Sequence, residues 1–108
     1  MFRHLAILKF KPESSEDARK RFIDNFPNMA KAIPQIKAWS IGPDAGMSGE
    51  SHVKAGRYPP NYDVGLHMDF DSPDAYLQYA ESPVHQKFFA EYVGPIIAER
   101  VVVQFHLS

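Results

Sequence analysis

A histidine and a tyrosine lie close together in the stretch YAESPVHQKFF, residues 79–89. His85 follows Pro83 within an otherwise apolar and aromatic run, where an uncharged side chain would be the usual choice. An imidazole titrates at about pH 6.5, so it can take up and return a proton near neutral pH, and apolar surroundings favour its neutral, basic form. His85 is therefore a candidate general base. Tyr79 is a candidate for orienting the imidazole or a substrate oxygen.

The same residues also have a purely structural interpretation. His85 could pack at the start of a helix and hold that helix to the first strand through one hydrogen bond. A buried Tyr79 would need a hydrogen-bond partner in any case. His4, in the first strand, could reach the same pocket or could be an ordinary core histidine. The sequence leaves both interpretations open.

A second polar set, His67 with Asp63 and Asp69, occupies one face of a predicted strand. These side chains could ligate a metal, and His106 could join them if the strands pair suitably. Alternate residues of a strand lie about 7 Å apart, however, so they would not meet at one ion without help from other elements. We predict no metal and no cofactor. His52 is expected to be exposed in a loop.

Four segments that could position these residues have the pattern of strands: 2–10, 36–42, 62–70 and 100–107. Even-numbered residues of the first, from Phe2 to Phe10, share one side, and the apolar residues of the third, from Tyr62 to Phe70, share one face. Between the second and third strands, about residues 44–61 lack any period and are predicted to form a long flexible loop or a functional flap.

The first helix is predicted from apolar residues spaced three or four apart between Ala18 and Ile33. Ser14 is its expected N-cap. Pro27 is expected to kink or split the helix near Asn25, because proline removes a backbone donor and clashes with the preceding turn.

Two Ser-Pro pairs, at 72–73 and 82–83, each supply an N-cap and a first helical residue. The second helix is therefore predicted to be broken in two. The resulting order is βαββαβ, an α+β ferredoxin-like fold with helices on one face of a four-stranded antiparallel sheet.

The other sheet face is predicted to be apolar, with Leu5, Ile7, Val102 and either Trp39 or Ala38 exposed on it. A contiguous patch of this kind usually marks an interface. Two sheets packed face to face would bury it in an isologous homodimer.

The composition limits the classes of function. A chain of 108 residues supports one domain, and a net charge of −1 gives no field that would attract nucleic acid or anionic lipid. The absence of cysteine excludes disulfides and thiolate nucleophiles. The N-terminal apolar run is too short for a signal peptide, and no stretch approaches the roughly 20 residues of a membrane span. We expect a soluble, cytoplasmic domain without nucleic-acid or membrane partners.

Five segments in order carry a family resemblance: HLAILKF, IPQIKAWSIG, YDVGLHMDFDSPDAYLQY, SPVHQKFFAEYVGPII and RVVVQF. Together they resemble the stress-responsive A/B barrel (Dabb) family from about His4 to Phe105. The resemblance implies a single Dabb domain over residues 1–108 and a dimeric α+β barrel made of two ferredoxin-like halves. The loop at 44–61 is longer than is usual in the family.

The family includes a plant polyketide cyclase that uses a histidine and a tyrosine in a pocket between sheet and helices, without metal or organic cofactor. By resemblance, the catalytic histidine falls on His85 and the tyrosine on Tyr79. A pocket histidine of the first strand falls on His4. A further pocket histidine falls on Val64, where the two sequences differ.

Phe88 and Phe89, from the inward rows of the last helix, complete the predicted ligand pocket. Two functions are consistent with these residues. The first is a stress-associated Dabb dimer that either binds an apolar or aromatic small molecule or only stabilises other components. The alternative is a cofactor-free cyclase or isomerase with His85 as general base and Tyr79 as its partner. A monooxygenase-like activity would rest on fold analogy alone.

Overall fold

The computed structural model describes residues 1–47, 56 and 58–108. The elements are β1 (Phe2–Phe10), α1 (Glu16–Ala32), β2 (Ala38–Pro43), β3 (Val64–Phe70), α2 (Pro73–Glu81), α3 (Pro83–Phe88), a π-helical turn (Phe89–Val93) and β4 (Ile97–His106). The strands form one sheet in the order β2-β3-β1-β4, and all neighbours are antiparallel. The ferredoxin-like α+β fold is therefore confirmed. Half of the predicted loop at 44–61, including His52, lies outside the described residues.

The predicted inner face of β1 is confirmed, since Phe2, His4, Ala6, Leu8 and Phe10 are all buried. The four apolar residues of β3 on the same side of the sheet are buried as well. Several strand boundaries differ from the prediction, and β2 spans Ala38–Pro43 rather than residues 36–42. β3 begins at Val64 rather than at residue 62, and β4 begins at Ile97 rather than at residue 100. The early start of β4 reflects its pairing with β1, which continues past a register shift at Lys9 to the pair Phe10–Ile97.

Helix α1 begins one residue later than expected. Its N-cap is Ser15, whose side chain accepts a hydrogen bond from the Ala18 amide at 3.0 Å. The predicted cap, Ser14, instead donates its hydroxyl to the Lys11 carbonyl at 2.6 Å. Ser14 therefore stabilises the preceding turn rather than the helix end.

Of the two outcomes predicted for Pro27, the split of α1 is wrong, because the helix continues from Glu16 to Ala32, and the kink stays a prediction. Proline removes only one backbone donor, and the buried residues Phe22, Phe26 and Met29 hold the helix against the sheet on both sides of it. The Asn25 side chain also donates to the Arg21 carbonyl at 2.7 Å.

The break between α2 and α3 is confirmed. Ser72 and Ser82 accept hydrogen bonds from the amides of Ala75 and Val84, each at 3.2 Å, and both helices start with proline. Ser82 serves as the C-cap of α2 and the N-cap of α3. Because the chain turns at this residue, the first turn of α3 lies against the end of α2.

The strand register corrects the predicted outer face. Leu5 pairs with Val103 and Ile7 with Val101, which places these side chains away from the helices. Val102 instead pairs with buried Ala6 and packs against the core, so its predicted place on the outer face is wrong. In a run of three valines no polar alternation tells one face from the other.

Trp39 and Ala38 were alternatives for the outer face. Trp39 pairs with Met68 and its ring meets Phe26 of α1 at 5.9 Å between centroids, so it faces the helices. Ala38 pairs with Asp69 on the outer side. That side remains apolar in its centre, where Ile7, Val101 and Val103 are 40%, 50% and 53% exposed.

Candidate functional site

A cavity of about 200 Å³ lies between the inner face of the sheet and the helices. Side chains from β1, β3, β4, all three helices and the π-helical turn form its wall. Most of them are aliphatic or aromatic, among them Phe22, Phe26 and Leu66. Phe89 and Arg100 are lining residues that are also exposed, so they mark its opening. We call this space the cavity.

Five of the six residues predicted for the site line the cavity. They are His4, Tyr79, His85, Phe88 and Phe89. Val64, the sixth, does not reach it. Its side chain is buried and packs within the hydrophobic core at the start of β3.

His85 lies half-buried in the first turn of α3, where its Nδ1 is 3.2 Å from the Ala80 carbonyl oxygen. A carbonyl can only accept, so Nδ1 carries the proton and Nε2 keeps its lone pair when the ring is neutral. Burial lowers the pKa of His85, a nearby positive charge on Arg100 lowers it further, and the Ala80 hydrogen bond opposes both. The ring is therefore neutral at pH 7. The hydrogen bond runs to the end of α2, not to the first strand as expected.

Tyr79 lies directly beside this imidazole, with ring centroids 4.3 Å apart. It is buried, and burial raises the pKa of its hydroxyl, which therefore keeps its proton. Within the described part of the chain, this hydroxyl forms no hydrogen bond. Tyr79 can thus donate a hydrogen bond to a ligand oxygen in the cavity, but it cannot act as a base near neutral pH.

His4 is held more tightly than His85. Its Nδ1 lies 2.8 Å from the Gln104 amide nitrogen, and its ring stacks on Tyr76 with centroids 5.1 Å apart. Burial, followed by the charges of Arg100 and His85, lowers the pKa of His4 to about 4. The ring is neutral at pH 7 and presents Nε2–H as a donor, since its Nδ1 accepts from the amide.

Three polar residues of this site were not predicted from the sequence: Arg100, Tyr76 and Gln104. Arg100 and Tyr76 line the cavity, and Gln104 fixes the His4 ring. The signal available was the period-two pattern of the last strand, which places Arg100 and Gln104 on the same side as Val102. That side could be identified only after the pairing of Val102 with Ala6 was known.

The second polar set does not form a metal site. Asp69 makes a bidentate ion pair with Arg3 at 2.8 and 2.9 Å, and Asp63 accepts from the Phe10 amide at 2.7 Å. His67 bonds to Ser40 on the outer sheet face. His106 pairs with Phe2 and therefore lies on the inner side of the sheet. It cannot join His67 and Asp69, which lie on the outer face. Among residues 1–47, 56 and 58–108, no three such ligands are grouped to hold an ion.

No helix within the described residues is both long enough and apolar enough to cross a membrane.

Comparison with known proteins gives a family match over residues 2–107, to the Stress responsive A/B Barrel Domain. A stress-response A/B barrel domain-containing protein of Arabidopsis thaliana is 25% identical over 107 residues, which cover 99% of this chain and 86% of the relative.

Solved structures are similar throughout. A dimeric ferredoxin-like protein of unknown function from Thermobifida fusca is 28% identical, with a TM-score of 0.81 over 98% of this chain and 90% of that one. A hydroxynitrile lyase from Passiflora edulis is 21% identical, with a TM-score of 0.79 over 99% and 93% of the two chains. At that identity the second likeness shows the fold alone.

Proposed function

Because the chain belongs to the stress-responsive A/B barrel domain family, we propose that it is a homodimeric barrel protein that binds a small apolar or aromatic molecule in the cavity. The observation that carries the proposal is the cavity itself. It lies between sheet and helices, has mainly apolar walls and opens at Phe89 and Arg100.

The size of the cavity agrees with such a ligand. Its volume is about 200 Å³, whereas an apolar protein cavity of about 150 Å³ is enough to bind benzene. One aromatic ring with a small substituent therefore fits. Tyr79 and His85 add two neighbouring polar groups to a wall that is mainly apolar, and a few placed polar groups are the usual way in which a pocket orients its ligand.

Support for the homodimer comes from the outer sheet face. Ile7, Val101 and Val103 are exposed together at its centre, and leaving such a patch in water is unfavourable. The similar protein from Thermobifida fusca is described as dimeric. A second copy of the same face would cover the patch by a two-fold axis.

Filling the cavity tests the binding function. Ala6 is 3% exposed and lines the cavity, so Ala6→Leu places an isopropyl group inside it. We expect single-ring ligands, tested by calorimetry, to lose at least tenfold in affinity to this variant. Ala32→Leu adds the same group at an exposed position of α1 and should bind as the parent does. Unchanged affinity of folded Ala6→Leu protein would show that ligands bind elsewhere.

A second candidate function is cofactor-free acid–base catalysis at His85. It is favoured by one observation: the Ala80 carbonyl holds the proton on Nδ1, so a neutral imidazole keeps Nε2 as a base. That nitrogen has no hydrogen-bond partner among the described residues. With Tyr79 donating to a substrate carbonyl, His85 would remove a proton from the neighbouring carbon, as cyclases and isomerases require.

The exchange of α-protons of 1-phenylpropan-2-one in D₂O, followed by NMR, tests this candidate. His85→Gln keeps an amide donor for Ala80 but cannot exchange a proton near pH 7, and we expect it to slow exchange by about 100-fold. His106→Gln, at an exposed histidine outside the cavity, is the matched control. Full exchange in His85→Gln would mean that His85 only caps the end of α2.

A further inference from the structure

Arg100 is the one cation among the residues that line the cavity within the described part of the chain. It pairs with Leu8 of β1, and Leu8 is buried beneath the helices, so Arg100 points to the inner side of the sheet. Its exposure places the guanidinium at the opening. A charged group in this position meets any ligand that enters.

The charge of Arg100 is not neutralised by the surrounding residues that the structure describes. It has no ion pair or hydrogen bond among them, and its neighbour Glu99 pairs with Lys9 instead, at 3.9 Å. Among residues 1–47, 56 and 58–108, no aspartate or glutamate lines the cavity. The charge of Arg100 nevertheless reaches inward, since it adds to the effect of burial in lowering the pKa of His4 and His85.

An unpaired guanidinium beside an apolar cavity is complementary to one class of small molecule. The planar fork of arginine binds a carboxylate through two parallel hydrogen bonds, which are strengthened by charge. One guanidinium can bind one carboxylate, and the cavity behind it has room for one aromatic ring. A ligand with both parts would place its apolar end against Phe22 and Phe26 and its anionic end in the opening.

We infer that the ligand of the cavity is a monocyclic aromatic acid, or an apolar acid of similar size, whose carboxylate pairs with Arg100. This inference rests on the proposed function, because it specifies the chemical class of the same ligand. It adds a specificity-determining residue that lies outside the His85–Tyr79 pair. Neutral molecules of equal size are the class that Arg100 selects against.

Two matched pairs of probes test the inference: phenylacetate with phenylacetamide, and benzoate with benzamide. In each pair the shape is nearly constant and only the charge differs. By calorimetry at pH 7.5 and low salt, the unaltered protein should bind each acid at least tenfold more tightly than its amide. Affinity for the acids should fall as salt is added, because the pair lies at the opening where ions can screen it.

Substitutions of Arg100 test whether this residue causes the tighter binding of the acids. Arg100→Met keeps the length and apolar stem of the side chain and should abolish the preference for the acids while leaving the amides unchanged. Arg100→Lys should keep part of it, since the charge remains but the bidentate geometry is lost. Arg21→Met, at an exposed arginine of α1 outside the cavity, should behave as the parent protein does.

The outcomes separate the two proposals. If acids and amides bind equally and both lose affinity in Ala6→Leu, the cavity is a ligand site but the inference about Arg100 is wrong. If none of the four probes binds, the proposed function fails and the inference fails with it. If the acid preference survives in Arg100→Met, another cation carries it and Arg100 has no role.

Discussion

His85 and His4 line one cavity but hold their protons on different nitrogens. The Ala80 carbonyl keeps the proton of His85 on Nδ1, whereas the Gln104 amide donates to Nδ1 of His4. In their neutral forms, His85 therefore offers Nε2 as an acceptor and His4 offers Nε2–H as a donor. The pair could bind a ligand that carries both a donor and an acceptor.

His4 also makes the stability of the fold depend on pH. Its pKa is lowered to about 4 in the folded protein, against about 6.5 in the unfolded chain. Between these values the unfolded state binds a proton that the folded state does not, so the free energy of unfolding decreases as the pH falls through this window. The loss approaches about 1.4 kcal/mol per pH unit inside the window and comes to about 2 kcal/mol between pH 7.5 and pH 5.

Urea denaturation at pH 7.5 and pH 5 measures this effect, with His4→Gln as the comparison. Glutamine can keep a hydrogen bond to Gln104 but does not titrate, so the variant should lose about 2 kcal/mol less than the parent over this range. His85 shifts in the same direction, but it is present in both proteins and cancels in the comparison. Equal pH dependence in the two proteins would contradict a depressed pKa at His4.

At the residue scale, the sequence was informative where a side chain contrasts with its neighbours. His85 stands out in an aromatic run, so it was identified from types and spacing alone. Arg100 follows Glu99 at the start of an apolar strand and looks like an ordinary surface residue. Its role depends on the pairing with Leu8 and on an empty space behind it, and neither property is local in sequence.

Helix α1 contains a proline in its interior, and this position gives a prediction at the scale of the element. Pro27→Ala restores a backbone donor and removes the clash with the preceding turn. We expect the free energy of unfolding to rise by about 1–3 kcal/mol, measured by urea denaturation. Pro73→Ala is the control. Proline at the first helical position of α2 replaces no amide that would donate within the helix, so this substitution should change the free energy of unfolding little. A destabilised Pro27→Ala protein would show that the ring packs better than the structure indicates.

The order of the elements could be predicted because strand patterns alternate with helical periods and Ser-Pro helix starts, and the face of β3 because its polar and apolar residues alternate. Two errors arose where that information is missing. Val102 lies within an all-apolar run, so its face is fixed only by pairing with β1. Ser14 and Ser15 are equally good caps by type, and the Lys11 carbonyl decides between them by occupying the Ser14 hydroxyl. The cavity itself has no local signal, since it is the volume that the surrounding side chains leave unfilled.

At the scale of the whole molecule, the proposed dimer requires the outer sheet face. Light scattering at micromolar concentration should give twice the chain mass of 12.3 kDa. Ile7→Glu places a carboxylate at the centre of the face, where burial without a partner would cost several kcal/mol, so it should dissociate the dimer. Leu77→Glu makes the same change at an exposed position of α2 and should leave the dimer intact. A monomeric parent protein would contradict the proposed dimeric barrel.

The most direct test of the cavity as a ligand site uses the methionine methyl groups as reporters. The chain has four methionines. Met29 and Met68 line the cavity, whereas Met1 and Met47 are 48% and 73% exposed and lie outside it. In protein labelled with ¹³C at the methionine methyls, titration with phenylacetate should move the signals of Met29 and Met68 through the ring current of the bound aromatic. The signals of Met1 and Met47 should stay fixed. Shifts confined to Met1 and Met47, or no shift at saturating ligand, would contradict binding in the cavity.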